Sequence, residues 1–182
     1  LDIWGDHLVY GSFDQDQRIR ARWGYTTGLM ALAYDELGKA AGFPHFQEQA
    51  HRIISFFIDE EGGIYGYRFD AFNIDEINSG KMVLRMYEET KEPRYRKAAD
   101  LLRQQLREHP RTSEGGFWHK KIYPYQLWLD GVYMGMPFLA HWELLFNEAR
   151  GMDEAIHEFE LVRKHCHDPV TGLYYHAWDE KK

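Results

Sequence analysis

Apolar residues recur at helical spacing in six stretches of this chain. Residues 28–37 carry Leu29, Leu32 and Ala33 on one side and stop at Gly38. Residues 46–58 place Ala50, Ile53, Ile54 and Phe57 on one stripe. Residues 76–90 turn Ile77, Val83, Leu84 and Tyr87 inward, and residues 94–107 do the same with Ala98, Leu101, Leu102 and Leu106. Residues 132–146 are apolar nearly all round, which predicts a buried helix. Residues 153–165 are amphipathic through Ile156, Phe159 and Val162. Asn73 and Glu76 have the spacing of a capping box opening the third helix. No alternating stretch rivals these patterns, so little or no sheet is expected.

The six helices fall into a repeat. Gly63, Gly116 and Gly172 each open a short run of apolar and ring-bearing residues, at a period of about fifty. Gly28, Gly80 and Gly135 repeat in phase, each four residues before a leucine. Each repeat reads as a helical hairpin whose first helix is small and apolar and whose second is more polar. Hairpins of this period stack side by side, each burying the next one's face. The expected fold class is therefore all-α, an α/α toroid, with residues 1–20 an unplaced N-terminal segment and 21–182 three hairpins.

Composition narrows the function classes. The chain has 182 residues, enough for one sizeable core, and a formal net charge of −7. An acidic chain lacks the clustered Lys and Arg that phosphate backbones and anionic membranes require, so neither nucleic acid nor membrane is expected as a partner. No apolar run is long enough to span a bilayer. Leu1-Asp2-Ile3-Trp4-Gly5-Asp6 shows no signal peptide, which leaves bacterial cytoplasm and periplasm both open. The single cysteine, Cys166, excludes an intrachain disulfide. Its neighbours His165 and His167 invite a metal reading, but adjacent helical residues do not face one another.

The candidate chemistry lies in long aromatic loops after the second helix of each hairpin, at about 59–74, 109–129 and 167–182. These loops return to the starts of the inner helices, so Asp75 and Asp130 should gather at one rim. Asp130 reads either as a helix cap or as a general acid/base beside Trp128. Asp75 reads either as a first-turn carboxylate favoured by the helix dipole or as a second catalytic carboxyl. His119 and His176 occupy equivalent positions in successive repeats. Lys120 and Lys121 are solvated charges or partners for a substrate carboxylate. Trp118 and Trp128 are core residues or platforms for a sugar ring. Trp23 and Tyr25, before the first inner helix, would join the same rim.

Four motifs resemble glycoside hydrolase family 105. Asn73-Ile74-Asp75-Glu76-Ile77-Asn78-Ser79-Gly80-Lys81 is similar to its N-[IL]-D-x-I-N-x-G-K. The stretch from Arg111 to Pro124 is similar to R-T-x-x-G-G-F-W-H-K-x-x-Y-P. The stretch from Gln126 to Met134 resembles Q-x-W-L-D-G-x-Y-M, and that from Leu173 to Glu180 resembles L-Y-Y-H-[GA]-W-D-E. The resemblance runs over residues 21–182. It implies an (α/α)6 barrel, of which about three of six hairpins are present, and an unsaturated rhamnogalacturonyl hydrolase or close relative. The implied substrate is an oligosaccharide ending in a 4,5-unsaturated uronate, and the implied chemistry is hydration of its double bond without metal or cofactor. Carried onto this chain, Asp130 is the general acid/base and Asp75 assists it. Tyr25, His119, Lys120, Trp128, Met134 and His176 bind the sugar. A naturally short chain would be expected to complete itself as a homo-oligomer. Two rival readings stay open: another toroid enzyme, such as a sugar epimerase or polysaccharide lyase, and an inactive or sugar-binding partial toroid.

Overall fold

The computed structural model describes residues 11–13 and 19–182. The expectations for the unplaced segment 1–20 and for a leader sequence fall largely outside the described residues. The chain divides into two compact units. One contains the residues up to Tyr67 together with Ser79–Ala98; the other contains Arg68–Asn78 and Ala99–Lys182.

The first unit begins with a two-stranded antiparallel ribbon, β1 (Gly11–Phe13) and β2 (Ile19–Ala21), with Gly11 opposite Ala21. Helix α1 (Tyr25–Ala41) ends at Gly42, whose left-handed backbone (φ 68°) turns its N–H back to the Gly38 carbonyl. Pro44 then opens α2 (Pro44–Ser55), where a missing N–H costs nothing. Helix α3 (Gly80–Thr90) and the start of α4 (Pro93–Glu108) complete the unit. Ala31, Ala50, Ile53, Ile54, Phe57, Val83 and Leu84 form its core. An ion network ties α1 to α3. The buried Asp35 carboxylate receives Lys39 Nζ at 2.8 Å and Arg85 at 2.6 Å. Burial alone would raise the pKa of Asp35, but these two cations outweigh it and hold the carboxyl below its ordinary range.

The second unit holds two short 3₁₀ turns, Phe69–Ala71 and Ile74–Ile77, and the remainder of α4. The strand β3 (Gln126–Trp128) leads directly into α5 (Leu129–Phe146), which is followed by α6 (Met152–Cys166) and β4 (Ala177–Asp179). Strands β3 and β4 pair antiparallel, with Gln126 opposite Asp179 and Trp128 opposite Ala177. Leu102, Leu106, Phe117, Leu127, Phe138, Leu139, Leu161 and Val162 fill the core. Arg103 lies buried among them, donating to Glu143 at 3.0 Å and to Glu154 at 2.8 Å. Glu154 also accepts from Arg111.

Six helices stand where the apolar periodicity places them, with several corrections. The first begins at Tyr25, and Ala33 is exposed while Ala31, Asp35 and Gly38 are buried. The capping box does not form. The Asn73 side chain accepts from Asp75 N at 3.1 Å, while Glu76 N bonds to the Asn73 carbonyl at 3.2 Å, so the chain makes a 3₁₀ turn and the α-helix starts only at Gly80. Helix α5 is not buried all round, since Tyr133, Pro137 and Leu144 are exposed along one stripe. On α6, Ile156 and Phe159 are exposed, and the inward stripe is Ala155, Glu158, Leu161, Val162 and Cys166. His165, Cys166 and His167 have divergent surroundings: His165 stacks on Trp178, Cys166 is buried, and His167 meets Tyr174. Among the described residues, no helix is long and apolar enough to cross a membrane.

Candidate active site

The site lies in the second unit and is built from two loop arms and one helix start. The first arm carries Asp75 in the 3₁₀ turn Ile74–Ile77, with Ile74 and Ile77 anchored in the core. The second arm carries Phe117, Trp118, His119 and Lys120. The arms are joined directly, since Ile74 N donates to the His119 carbonyl at 3.1 Å. The last turn of α4 and the residue that follows it hold both from behind. Gln105 Nε2 donates to the Asn73 carbonyl at 3.2 Å. His109 Nε2 lies 2.8 Å from the Trp118 carbonyl, and its Nδ1 lies 3.4 Å from Gln105 Nε2. Both partners suit a neutral imidazole, with Nε2–H donating and Nδ1 accepting. Burial enforces the same state, lowering the His109 pKa to about 4. Sequence reasoning missed Gln105 and His109. Their i, i+4 spacing at a helix end is the signal they leave.

Helix α5 supplies Asp130. Trp128 is the N-cap and makes no side-chain capping bond. Leu129 N is satisfied from outside the helix, by the His176 carbonyl at 2.8 Å. Asp130 therefore occupies the second helical position and is not the N-cap residue. Its side chain is 37% exposed, yet Oδ1 is buried and has no hydrogen-bond partner. The glycines that follow let α5 approach both arms. A Cβ on Gly131 would lie 3.3 Å from His119 Nδ1, and one on Gly135 would lie 3.2 Å from Ile74.

These elements bring three titratable side chains together. His119 Nε2 lies 3.1 Å from Asp75 Oδ1 and 4.0 Å from Asp130 Oδ2. Lys120 Nζ lies 2.6 Å from the other Asp75 oxygen. The nearest atoms of Asp75, His119 and Asp130 all fall within 4.8 Å of one another. Burial works against ionisation of Asp75, but the His119 imidazole and the Lys120 ammonium beside it outweigh that and keep its pKa below the usual carboxylate value. The two carboxyls thus differ. Asp75 is enclosed and neutralised by its neighbours, whereas Asp130 keeps a free oxygen. The trio has the separation of a metal-ligating set, and the Lys120 ammonium neutralises the Asp75 oxygen that faces away from His119. A second such trio, Asp35, His51 and Glu89, is likewise neutralised by Lys39 and Arg85.

An aromatic wall backs the cluster. The His119 ring is stacked on Trp128, with centroids 4.3 Å apart and planes 5° from parallel. Tyr123 stacks on the same indole at 5.1 Å and 15°, and His176 leans against it at 5.0 Å. Trp128 is therefore already engaged by the protein's own rings and serves as a wall rather than as a bare platform. Behind the second arm, the buried Glu158 accepts from Phe117 N at 3.0 Å. Burial pushes the Glu158 carboxyl up to about 7. Of the sequence-predicted site residues, the structure gathers Asp75, His119, Lys120, Trp128, Asp130 and His176. Met134 is buried one turn along α5 from Asp130. Tyr25 belongs to the first unit, at the exposed start of α1. The residues it adds are Tyr123, Gln126, Gln105 and His109.

The sequence pattern of Glycosyl Hydrolase Family 88 matches residues 9–182. The chain belongs to that family. A curated relative, the unsaturated rhamnogalacturonyl hydrolase YesR of Bacillus subtilis (strain 168), is 24% identical over 184 residues, which cover 97% of this family 88 chain and 50% of YesR. A family 105 glycoside hydrolase of C. acetobutylicum ATCC 824 is 40% identical and superposes with a TM-score of 0.83 over 88% of this chain and 44% of its own. A possible family 105 member from Salmonella enterica serovar Paratyphi A, 22% identical over 94% of this chain and 46% of its own, has a TM-score of 0.74. The resemblance to family 105 drawn from the four motifs is thus borne out, as is an all-α fold of the α/α-toroid class. The chain spans about half the length of the relatives it matches.

Proposed function

We propose that this family 88 chain acts in the hydration of a 4,5-unsaturated uronate at the non-reducing end of an oligosaccharide, with Asp130 as general acid and then general base. The observation that carries the proposal is the asymmetry of the two carboxyls. Asp75 is held by Lys120 and His119, whereas Asp130 has one buried oxygen with no partner and its other oxygen 4.0 Å from His119 Nε2. A group that must gain and lose a proton within one turnover needs such freedom. The Asp130 carboxyl gives its proton to C4 of the double bond, and positive charge develops at C5 and the ring oxygen. The resulting carboxylate takes a proton from water as that water bonds to C5. The hemiketal so formed opens, and the glycosidic oxygen departs with the remaining sugar. Asp75, fixed in its ionised form, supports the developing charge. His119 and Lys120 orient the uronate, with Trp128, Met134 and His176 completing the enclosure. The name of the relative YesR supports a rhamnogalacturonan-derived substrate. The route draws on no metal or cofactor.

A second reading has one observation in its favour. Carboxyl oxygens within 4.8 Å also suit a retaining glycosidase, in which one carboxylate attacks the anomeric carbon. The ion pairs on Asp75 weigh against it as that nucleophile. Ultraviolet absorbance of an unsaturated uronyl disaccharide separates the readings. Hydration abolishes the conjugated chromophore, a lyase acting on a saturated polymer creates it, and direct displacement leaves it in the first product. Absorbance that persists while disaccharide is split would overturn the proposal.

A further inference from the structure

Gln126 links the aromatic wall behind the cluster to the β3–β4 ribbon. Its Oε1 accepts from Trp128 Nε1 at 3.0 Å, and its Nε2 donates to Asp179 Oδ2 at 3.3 Å. Its backbone carbonyl accepts from His119 N at 2.7 Å. The register of the β3–β4 ribbon places Gln126 directly opposite Asp179, which brings their side chains together. An indole stacked on an imidazole is free to slide and rotate in its own plane. One hydrogen bond at Nε1 removes that freedom. The remaining amide hydrogens of Gln126 then need an acceptor, and Asp179 provides one.

We infer that Gln126 is a positioning residue that fixes the Trp128 indole and, through the stack, the plane of the His119 ring between Asp75 and Asp130. The path runs from Asp179 on β4 through the Gln126 amide to Trp128, and from there to His119. It rests on the proposed hydration for its functional meaning, but its geometry is testable without turnover. Removing one side-chain bond of this kind is expected to lower kcat about fivefold to tenfold, with KM changed less, because the ring is displaced rather than lost. Gln126→Met abolishes both side-chain bonds at similar volume. The double variant Gln126→Glu with Asp179→Asn restores both with donor and acceptor reversed across the ribbon, and leaves net charge unchanged.

The experiment is heteronuclear NMR of the nitrogen-15-labelled chain, with the Trp128 indole resonance assigned by Trp128→Phe, followed by kinetics of the same variants. Gln126→Met is expected to move the Trp128 indole resonance towards that of a free indole and to shift the ring resonances of His119 stacked on it. The double variant is expected to return both towards the wild-type values, together with kcat. An unmoved Trp128 resonance in Gln126→Met would overturn the inference, as would His119 ring resonances that ignore the change. Rescue of the two resonances in a chain whose Asp130 proves dispensable would uphold the positioning and sink the hydration proposal instead. A Gln126→Met chain that unfolds, with the double variant equally unfolded, counts against the inference, because the exchange keeps every bond it invokes.

Discussion

Lys120 Nζ stands 2.6 Å from Asp75 Oδ2, and in the proposed hydration this pair sets the two site carboxyls apart. With one oxygen on Lys120 and the other facing His119, Asp75 is fixed as a carboxylate. In the proposed hydration the proton-carrying role falls to Asp130, at the start of α5.

That pair gives the first prediction. Asp75 ionises at a lower pH in the folded chain than in the unfolded one. Its stabilisation is therefore complete above the ordinary carboxylate range, roughly pH 4 and upwards, and is lost as pH falls through the depressed folded value. Lys120→Met removes one of the bonds that hold Asp75 down. It is expected to cost about 2 kcal/mol at neutral pH and to shrink the loss of stability on acidification. Urea denaturation of both chains at pH 7 and pH 3 measures this. Equal acid sensitivity in the two chains would contradict it.

Gly131→Ala tests the closeness of α5 and the second arm. The new methyl would meet His119 Nδ1 at 3.3 Å, tighter than an ordinary contact, so the ring must give by a few tenths of an ångström. The helix itself gains slightly, by roughly 1 kcal/mol, from losing a glycine. Thermal unfolding is expected to change by only a few degrees while kcat falls about tenfold. Full activity in a stable Gly131→Ala chain would show that the position of His119 is not critical.

Glu158 and His109 set opposite pH dependences behind the site. Glu158 ionises near 7 when folded and near 4.5 otherwise, so its contribution is complete below 4.5 and is lost as pH rises towards 7. That loss is on the order of 3 kcal/mol. His109 ionises near 4 when folded and near 6.5 otherwise, so stability rises with pH across much the same interval. The two nearly cancel in the native chain. Glu158 feels Arg111, His157 and Glu154, and those charges remain in a Glu158→Gln variant. This variant keeps an acceptor for Phe117 N and removes only the titration of Glu158. Its melting temperature is expected to rise more steeply from pH 4.5 to pH 7 than that of the native chain. Parallel profiles would contradict the assignment.

The parts of this molecule legible in its sequence are those set by local period and by motif. Ile53, Ile54 and Phe57 declare one face of α2, and the phase of the repeat brings Asp75, His119, Asp130 and His176 into one cluster. Long-range pairing leaves no such trace. Residues 126–128 and 177–179 are too short to show an alternating pattern, and they pair only because β3 leads into α5 at the height where the last loop passes. The side of a helix that faces protein is also invisible when both sides are apolar, which is why Ile156 and Phe159 read as buried. The capping box at Asn73 failed for a local reason, because the side chain reached the nearer N–H of Asp75. Nothing in the sequence shows that the Trp128 indole is stacked with His119 and Tyr123.

The most direct test of the central claim is the rate at which Asp130→Asn consumes the chromophore of an unsaturated uronyl disaccharide. The substitution keeps the size and the helix position and removes the transferable proton. Loss of the general acid is expected to cut the rate by at least about 10²-fold to 10⁴-fold while substrate binding persists. An Asp130→Asn chain that bleaches the substrate at the native rate would contradict the account.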